Sequence, residues 1–72
     1  METFEFSGDY IELNRLLKAA GFCGTGGMAK IEIENGLVSV DGIVEYRKRC
    51  KIRNGQTVGY GSHTIKVVQM TP

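Results

Sequence analysis

The residues best suited to bind a ligand form a basic run in the second half of the chain. Five of the nine lysines and arginines fall within seven consecutive positions, 47–53, which contain no acidic residue. They are Arg47, Lys48, Arg49, Lys51 and Arg53. The formal net charge is only +1, because the acidic residues lie elsewhere, four of them within the first twelve positions. A local positive field of this kind attracts a polyanion to one surface of the molecule.

The conformation of the basic run decides how its charges are presented. If the run is extended, its side chains alternate between two faces, and alternate residues are about 6.6 Å apart, which suits a row of phosphates. One face then carries Arg47, Arg49, Lys51 and Arg53. The other carries Tyr46, Cys50 and Ile52, which can be buried. The alternative is a solvated edge strand that uses its charge to prevent aggregation.

A second candidate for anion binding is the glycine-rich segment 21–27, which contains four glycines. If a helix begins after Thr25, that residue can cap it, and the backbone N–H groups of Gly26 and Gly27 are free to bind an anion at the positive end of the helix dipole. Lys30, one turn further on, either reaches the same anion or remains solvated. The alternative is a tight turn that needs glycine only for its backbone conformation.

The sequence contains no arrangement typical of an enzyme or of a metal site. The spacing Gly21-x-x-x-x-Gly26 is followed by Gly27, where a phosphate-binding P-loop requires lysine. The two cysteines and the single histidine do not have the spacing of zinc ligands, and cysteines without C-x-x-C spacing are typical of free thiols in a reducing compartment. We therefore predict no catalytic residue, no cofactor and no metal ion.

Length and hydropathy limit the class of protein further. A chain of 72 residues predicts a single domain, residues 1–72, with a small core. No apolar run approaches the ~20 residues that span a bilayer, and the N-terminal segment is acidic, whereas that of a signal peptide is basic. We expect a cytoplasmic protein that does not enter a membrane.

Apolar periodicity predicts one amphipathic helix in the first third of the chain. Positions i, i+3, i+4 and i+7 are occupied by Leu13, Leu16, Leu17 and Ala20. Gly21 follows, where a left-handed helix C-cap is common. Arg15 and Lys18 point away from the apolar stripe, so they either extend a positive surface or are ordinary solvent-facing charges.

The start of this helix is left open by the sequence. Asp9, followed three residues later by Glu12, resembles a capping box, whereas Asn14 offers a later N-cap. Before it, the segment 4–6 alternates as a short strand does. Most of the scattered aromatic residues are expected in the core, because they are too few to form a base-stacking platform.

Local patterns conflict over residues 30–40. The alternation of segment 30–34, followed by Asn35-Gly36 and a second apolar segment, is a strong hairpin signal. The opposing interpretation is a short helix from Gly26 to Asn35, capped by Thr25 and ended by Gly36 in the left-handed conformation. Propensity alone favours the hairpin.

The sequence after residue 40 predicts short strands separated by turns. Asp41-Gly42 and Asn54-Gly55 are turn sequences, and an extended segment begins at Ile43. Residues 57–58 and 64–68 have the composition of closing strands.

Four sequence blocks resemble an S4 RNA-binding domain in their order and spacing. They are Leu16-Leu17-Lys18-Ala19-Ala20-Gly21, Thr25-Gly26-Gly27-Met28-Ala29-Lys30, Val38-Ser39-Val40-Asp41-Gly42, and the basic run followed by Ile52-x-x-Gly55. The likeness spans residues 11–68, and its specificity lies in the combination, since no block is diagnostic alone. More narrowly, the chain is similar to the small stand-alone bacterial S4 proteins of the YbcJ type.

The resemblance implies an α+β fold of the S4 type, also called the αL motif, with two packed helices against a small, mostly antiparallel sheet. It therefore favours the helix over the hairpin for residues 31–35. Three positions depart from the family pattern: Asp41 stands where asparagine is usual, Arg49-Cys50 where Gly-Lys is usual, and Gln56 where aspartate is usual. The first puts a carboxylate beside the expected path of the phosphates.

In S4 domains the second helix, the loop before it and the basic segment form a surface that grips structured RNA. With the flanking cations added to the matching positions, the predicted RNA-binding residues are Arg15, Lys18, Thr25, Gly26, Gly27, Lys30, Arg47, Lys48, Arg49, Lys51 and Arg53. The resemblance implies a monomer that binds ribosomal or transfer RNA through phosphates and shape, as an accessory factor acting in RNA metabolism or on ribosomal particles. The alternative is a protein-protein adaptor whose basic segment docks an acidic partner.

Overall fold

The computed structural model describes residues 2–70, in which two helices pack on one face of a five-stranded sheet. The helices are α1 (Leu13–Ala19) and α2 (Gly26–Glu34). The strands are β1 (Glu2–Phe6), β2 (Ile11–Glu12), β3 (Val38–Val40), β4 (Ile43–Val44), β5 (Lys51–Ile52), β6 (Thr57–Tyr60) and β7 (His63–Gln69). This arrangement confirms the α+β prediction. Within residues 2–70, neither helix is long and apolar enough to cross a membrane.

The leucine periodicity correctly predicts α1. Leu13, Leu16 and Leu17 are completely buried, and the helix is followed by Gly21 in the left-handed region with φ of 83°. Both predictions of its N-cap are wrong, because the N-cap residue is Glu12 and its side chain accepts no capping hydrogen bond. The first N–H groups of the helix donate hydrogen bonds to backbone carbonyls of the basic run instead.

The second helix forms where local alternation favoured a hairpin. Thr25 is its N-cap and its Oγ1 accepts a hydrogen bond from the Met28 N–H at 3.1 Å. At the other end Gly36 has φ of 78°, as predicted for the helical interpretation. The helix is favoured over the hairpin because it places Ala29 and Ile33, four residues apart, on one face, where both are completely buried in the core.

The main sheet has the strand order β1-β7-β6-β3-β4. Only the β1–β7 pair is parallel, and the remaining pairs are antiparallel. The core between sheet and helices takes alternate residues of the strands, including Val38, Val58, Ile65 and Val67. A separate antiparallel pair, β2–β5, joins the residues before α1 to the end of the basic run.

Burial of the aromatic residues agrees with the prediction that most belong to the core, with Tyr10 and Tyr46 as the exceptions. Phe6 is buried, and Phe4, Phe22 and Tyr60 are half-buried against the core. Tyr10 is 40% exposed and Tyr46 is 63% exposed. The Tyr46 ring lies over Gly36, where an added Cβ would come within 3.2 Å of it.

Candidate functional site

The basic run and the tyrosine before it, residues 46–53, are together called the basic segment. The segment is not continuously extended, so the alternation considered for an extended run does not apply along its whole length. Lys48 and Arg49 form a turn, closed by a hydrogen bond from the Cys50 N–H to the Arg47 carbonyl at 3.1 Å. Only Lys51 and Ile52 are in a strand. Of the three residues expected to be buried, Ile52 is buried and Cys50 half-buried, whereas Tyr46 is exposed.

The bend in the basic segment has a cause in α1. The Leu13 N–H donates to the Cys50 carbonyl at 2.9 Å, and the Asn14 N–H donates to the Lys48 carbonyl at 3.0 Å. The first N–H groups of a helix have no partner within the helix, so these carbonyls replace a side-chain cap. The basic segment is thereby fixed against the end of α1 rather than left as a solvated loop.

This backbone arrangement brings several of the predicted cations together. Arg47, Arg49 and Lys51, together with Cys50, line one open concavity. Lys51 and Arg53 both contact the ring of Tyr10. Lys51 Nζ is 4.9 Å and the Arg53 guanidinium carbon is 5.7 Å from the ring centroid. All four cations are exposed. The result is a positive surface of the kind that attracts a polyanion.

Two cations of the basic segment also have carboxylate partners. The Arg47 guanidinium donates to both carboxylate oxygens of Glu45, each at 3.0 Å. These hydrogen bonds, with a further one from the Arg47 backbone N–H, lower the pKa of Glu45 to about 2. The side-chain hydrogen bonds and the charge of Glu45 in turn raise the pKa of Arg47. Lys48 Nζ lies 3.5 Å from Glu34 Oε2, at the end of α2. Arg49, Lys51 and Arg53 form no ion pair within residues 2–70.

The predicted RNA-binding residues of α2 differ in their position relative to the basic segment, which α2 contacts through Glu34. Lys30 precedes Glu34 by four residues, so the two side chains share a face of α2, and Glu34 is the residue that contacts Lys48. Thr25, Gly26 and Gly27 lie at the opposite end of this nine-residue helix, about 13 Å from Glu34. Lys30 therefore lies on the helix face that carries Glu34, the partner of Lys48, and the glycine-rich N-terminus is at the far end of the helix.

The cations of α1 differ in their relation to the basic segment. Arg15 Nε lies 3.6 Å from a carboxylate oxygen of Glu12, and Glu12 is the strand partner of Lys51. Arg15 therefore lies at the margin of the basic segment. Lys18, one turn further along α1, is exposed, and within residues 2–70 it makes no side-chain hydrogen bond or ion pair with that segment.

Two of the departures from the S4 pattern are structurally linked. Asp41 occupies the left-handed region with φ of 52°, and its Oδ1 accepts a hydrogen bond from the Thr57 N–H at 2.9 Å. Its Oδ2 accepts one from Gln56 Nε2 at 3.2 Å. Both oxygens of the Asp41 carboxylate therefore accept hydrogen bonds, from the first residue of β6 and from the residue before it.

The thiols and the histidine have structural surroundings. Both cysteines are free, and burial raises the pKa of each thiol, aided by Glu32 at Cys23 and by Glu45 at Cys50. His63 stacks on Phe22 with ring centroids 5.1 Å apart. In the part of the chain from Glu2 to Met70, no three potential metal ligands are grouped.

Comparison with known proteins places the fold in a family. Residues 4–68 match the sequence model of the S4 domain. The chain belongs to the S4 domain family. This confirms the resemblance to S4 domains, which the sequence placed over residues 11–68.

Relatives of this S4 domain include proteins of similar length. It is 52% identical over 59 residues to a protein of Escherichia coli (strain K12) named "Putative RNA-binding protein YbcJ", covering 82% of this chain and 84% of that one. An "Uncharacterized protein YbcJ" of Shigella flexneri matches with the same identity and coverage. The solution structure of E. coli YbcJ superposes with a TM-score of 0.73 at 49% identity, over 94% of this chain and 87% of that one. That structure is described as revealing an αL motif involved in RNA binding.

Tyr10 is the residue of this surface that sequence reasoning missed. It lies outside the four S4 blocks, and nothing in the local sequence relates it to cations some forty positions away. It directly precedes β2, whose two residues, Ile11 and Glu12, gave no strand signal in the sequence.

Proposed function

We propose that this chain is a non-enzymatic RNA-binding protein, a single S4 domain that recognises structured RNA through phosphate positions and shape. The observation that carries the proposal is the concavity lined by Arg47, Arg49 and Lys51, fixed by backbone hydrogen bonds to α1. Its support from relatives is the αL motif described for the solution structure of YbcJ. A fixed group of exposed cations is what a folded polyanion requires.

Recognition by phosphate and shape follows from the geometry of A-form RNA. Its deep and narrow major groove denies side chains access to the base edges. Three cations of the basic segment that lack a carboxylate partner, Arg49, Lys51 and Arg53, are available for phosphates, and Lys30 adds a fourth from α2. With four phosphate contacts, the logarithm of affinity should fall with the logarithm of salt concentration with a slope of about −3.

The proposed RNA is ribosomal or transfer RNA, and the protein acts on it as a monomeric accessory factor in the cytoplasm, where it associates with ribosomal particles. This part of the proposal rests on analogy with the family. Crosslinking in cells, followed by sequencing of the attached RNA, identifies the target, and an RNA population without ribosomal or transfer RNA would contradict it.

Charge reversal tests the proposed surface with a matched control. Lys51 and Lys66 are both exposed strand lysines, on β5 and on β7, and reversing either changes the net charge equally. We expect Lys51→Glu to weaken binding of a structured RNA and Lys66→Glu to have little effect, as measured by fluorescence anisotropy at low salt. The triple variant R47E/R49E/K51E should abolish binding while its circular dichroism spectrum is unchanged. Equal effects of the two single variants would refute the proposed surface.

A second candidate is an adaptor that docks an acidic protein segment on the same cations. The specific observation in its favour is that Arg47 and Lys48 already hold carboxylates within the chain, those of Glu45 and Glu34. Titration with poly-glutamate beside an RNA hairpin of similar total charge distinguishes the two. Tighter binding of the peptide would favour the adaptor.

A further inference from the structure

Tyr10 is an exposed aromatic residue that contacts two cations of the basic segment. Lys51 Nζ lies 4.9 Å from the centroid of its ring, and the guanidinium carbon of Arg53 lies 5.7 Å from it. Both distances fall within the ~6 Å over which the ring quadrupole attracts a cation. The ring therefore holds two cations at once.

The strand register explains how one ring meets both cations. The β2–β5 pair sets Ile11 opposite Ile52 and Glu12 opposite Lys51. One step further in this antiparallel register, Tyr10 lies opposite Arg53. Residues two apart on a strand share a face, so Lys51 and Arg53 both lie on the side of Tyr10, whereas Ile52 is buried on the other side.

An aromatic partner, unlike a carboxylate partner, leaves the positive charge of a cation available to a phosphate. The carboxylate of Glu12, the strand partner of Lys51, lies 3.6 Å from Arg15, and within residues 2–70 neither Lys51 nor Arg53 forms an ion pair. A carboxylate would cancel the charge that a phosphate must meet, but a ring restrains the cation and leaves its charge intact. Restraint before binding reduces the loss of side-chain freedom on binding.

We propose that Tyr10 is a positioning residue of the RNA interface, which holds the side chains of Lys51 and Arg53 side by side to receive neighbouring phosphates. The proposal rests on the proposed RNA-binding function and adds to it a residue outside the S4 sequence blocks. Tyr10 acts through the two cations, so its ring matters and its hydroxyl does not.

The first part of the test concerns the free protein. In NMR spectra, the Lys51 Hε and Arg53 Hδ resonances should be shifted upfield by the ring current, in the wild type and in Tyr10→Phe. They should return to ordinary positions in Tyr10→Leu. Tyr46→Leu is the matched control, since Tyr46 is also exposed but lies over Gly36, and it should leave these resonances unchanged. Ordinary positions in the wild type would overturn the proposal.

The second part measures RNA binding by the same variants. Tyr10→Leu should weaken binding by about three- to tenfold, and Tyr10→Phe should bind within about twofold of the wild type. The salt slope of Tyr10→Leu should change by less than the ~0.7 of one phosphate contact, whereas Lys51→Glu should lose at least that amount. A Tyr10→Leu variant that binds as tightly as the wild type overturns the positioning role alone. Failure of the wild type to bind RNA at low salt overturns the proposed function and the positioning role with it.

Discussion

Asp41 and Gln56, two residues at which this chain departs from the S4 pattern, are hydrogen-bonded to each other. Gln56 Nε2 donates to Asp41 Oδ2 at 3.2 Å, and Gln56 Oε1 accepts from the Arg53 N–H at 2.8 Å. The turn after β3 is thereby linked to the end of the basic segment. The Asp41 carboxylate, which the sequence places beside the expected path of the phosphates, is thus hydrogen-bonded within the chain.

This link predicts a measurable coupling between the two positions. Asparagine tolerates the left-handed backbone of Asp41, but its NH2 group would face the Gln56 amide donor. Asp41→Asn should therefore lower the free energy of unfolding by about 1 kcal/mol, and by clearly less in a Gln56→Ala background. Urea denaturation of the four proteins measures this. Asp9→Asn is the matched control, and additive effects at 41 and 56 would contradict the coupling.

The Glu45–Arg47 pair predicts a specific dependence of stability on pH. The pKa of Glu45 is lowered from its ordinary value of 4.5 to about 2 in the folded protein. A lowered pKa stabilises the fold above the ordinary value, and that contribution is lost as the pH falls through the folded value. The stability of the wild type relative to Glu45→Gln should therefore be constant above about pH 5 and decline between about pH 4.5 and pH 2.

Urea denaturation at a series of pH values measures this difference. Glu5→Gln serves as the control, because Glu5 is exposed and has no ion-pair partner among residues 2–70. A constant difference between the wild type and Glu45→Gln from pH 6 to pH 2 would show that the pair does not form in solution.

Carboxylates that hold cations of the basic segment should compete with RNA. Glu34→Gln removes the partner of Lys48 while preserving the shape of the side chain. We expect RNA affinity to rise by about two- to fivefold at low salt, and the gain to shrink as salt increases. Anisotropy titrations at two salt concentrations test this, and an equal gain in Glu5→Gln would indicate a mere effect of net charge.

The cap of α2 predicts a loss of stability that depends on a hydroxyl group. Thr25→Ala removes the acceptor of the Met28 N–H and should cost about 1 kcal/mol in the free energy of unfolding. Thr25→Ser keeps the oxygen and should remain within a few tenths of a kcal/mol of the wild type. Thermal or urea denaturation compares the three proteins. Equal losses in both variants would show that the methyl group, rather than the cap, stabilises this end.

The predictability of each helix depended on where its partners lie. The three buried leucines of α1 repeat within two turns, so a local pattern sufficed to predict it. In α2, Ile33 is buried but Ile31 is 58% exposed, so the alternation that suggested a strand does not separate inside from outside. Only the family resemblance favoured helix there, because the burial of Ala29 and Ile33 depends on residues outside the segment.

The charges of the candidate site could be predicted, but its shape could not. The cations are evident in the sequence, whereas the bend at Lys48 and Arg49 depends on N–H groups of α1 that are more than thirty residues away. The role of Tyr10 similarly depends on the register of β2 with β5. The pairing of Arg47 with Glu45 and of Lys48 with Glu34 likewise depends on the tertiary structure.

The parallel pairing of the first and last strands affects how the chain can be made. In the main sheet β7 lies between β1 and β6, and among the strands of residues 2–70 it is the only neighbour of β1. During synthesis on the ribosome, β1 cannot pair with β7 until nearly all of residues 2–69 have emerged from the exit tunnel. A nascent chain stalled before His63 therefore exposes its first strand to chaperones and proteases, so the arrested intermediate should be far more short-lived than the finished protein.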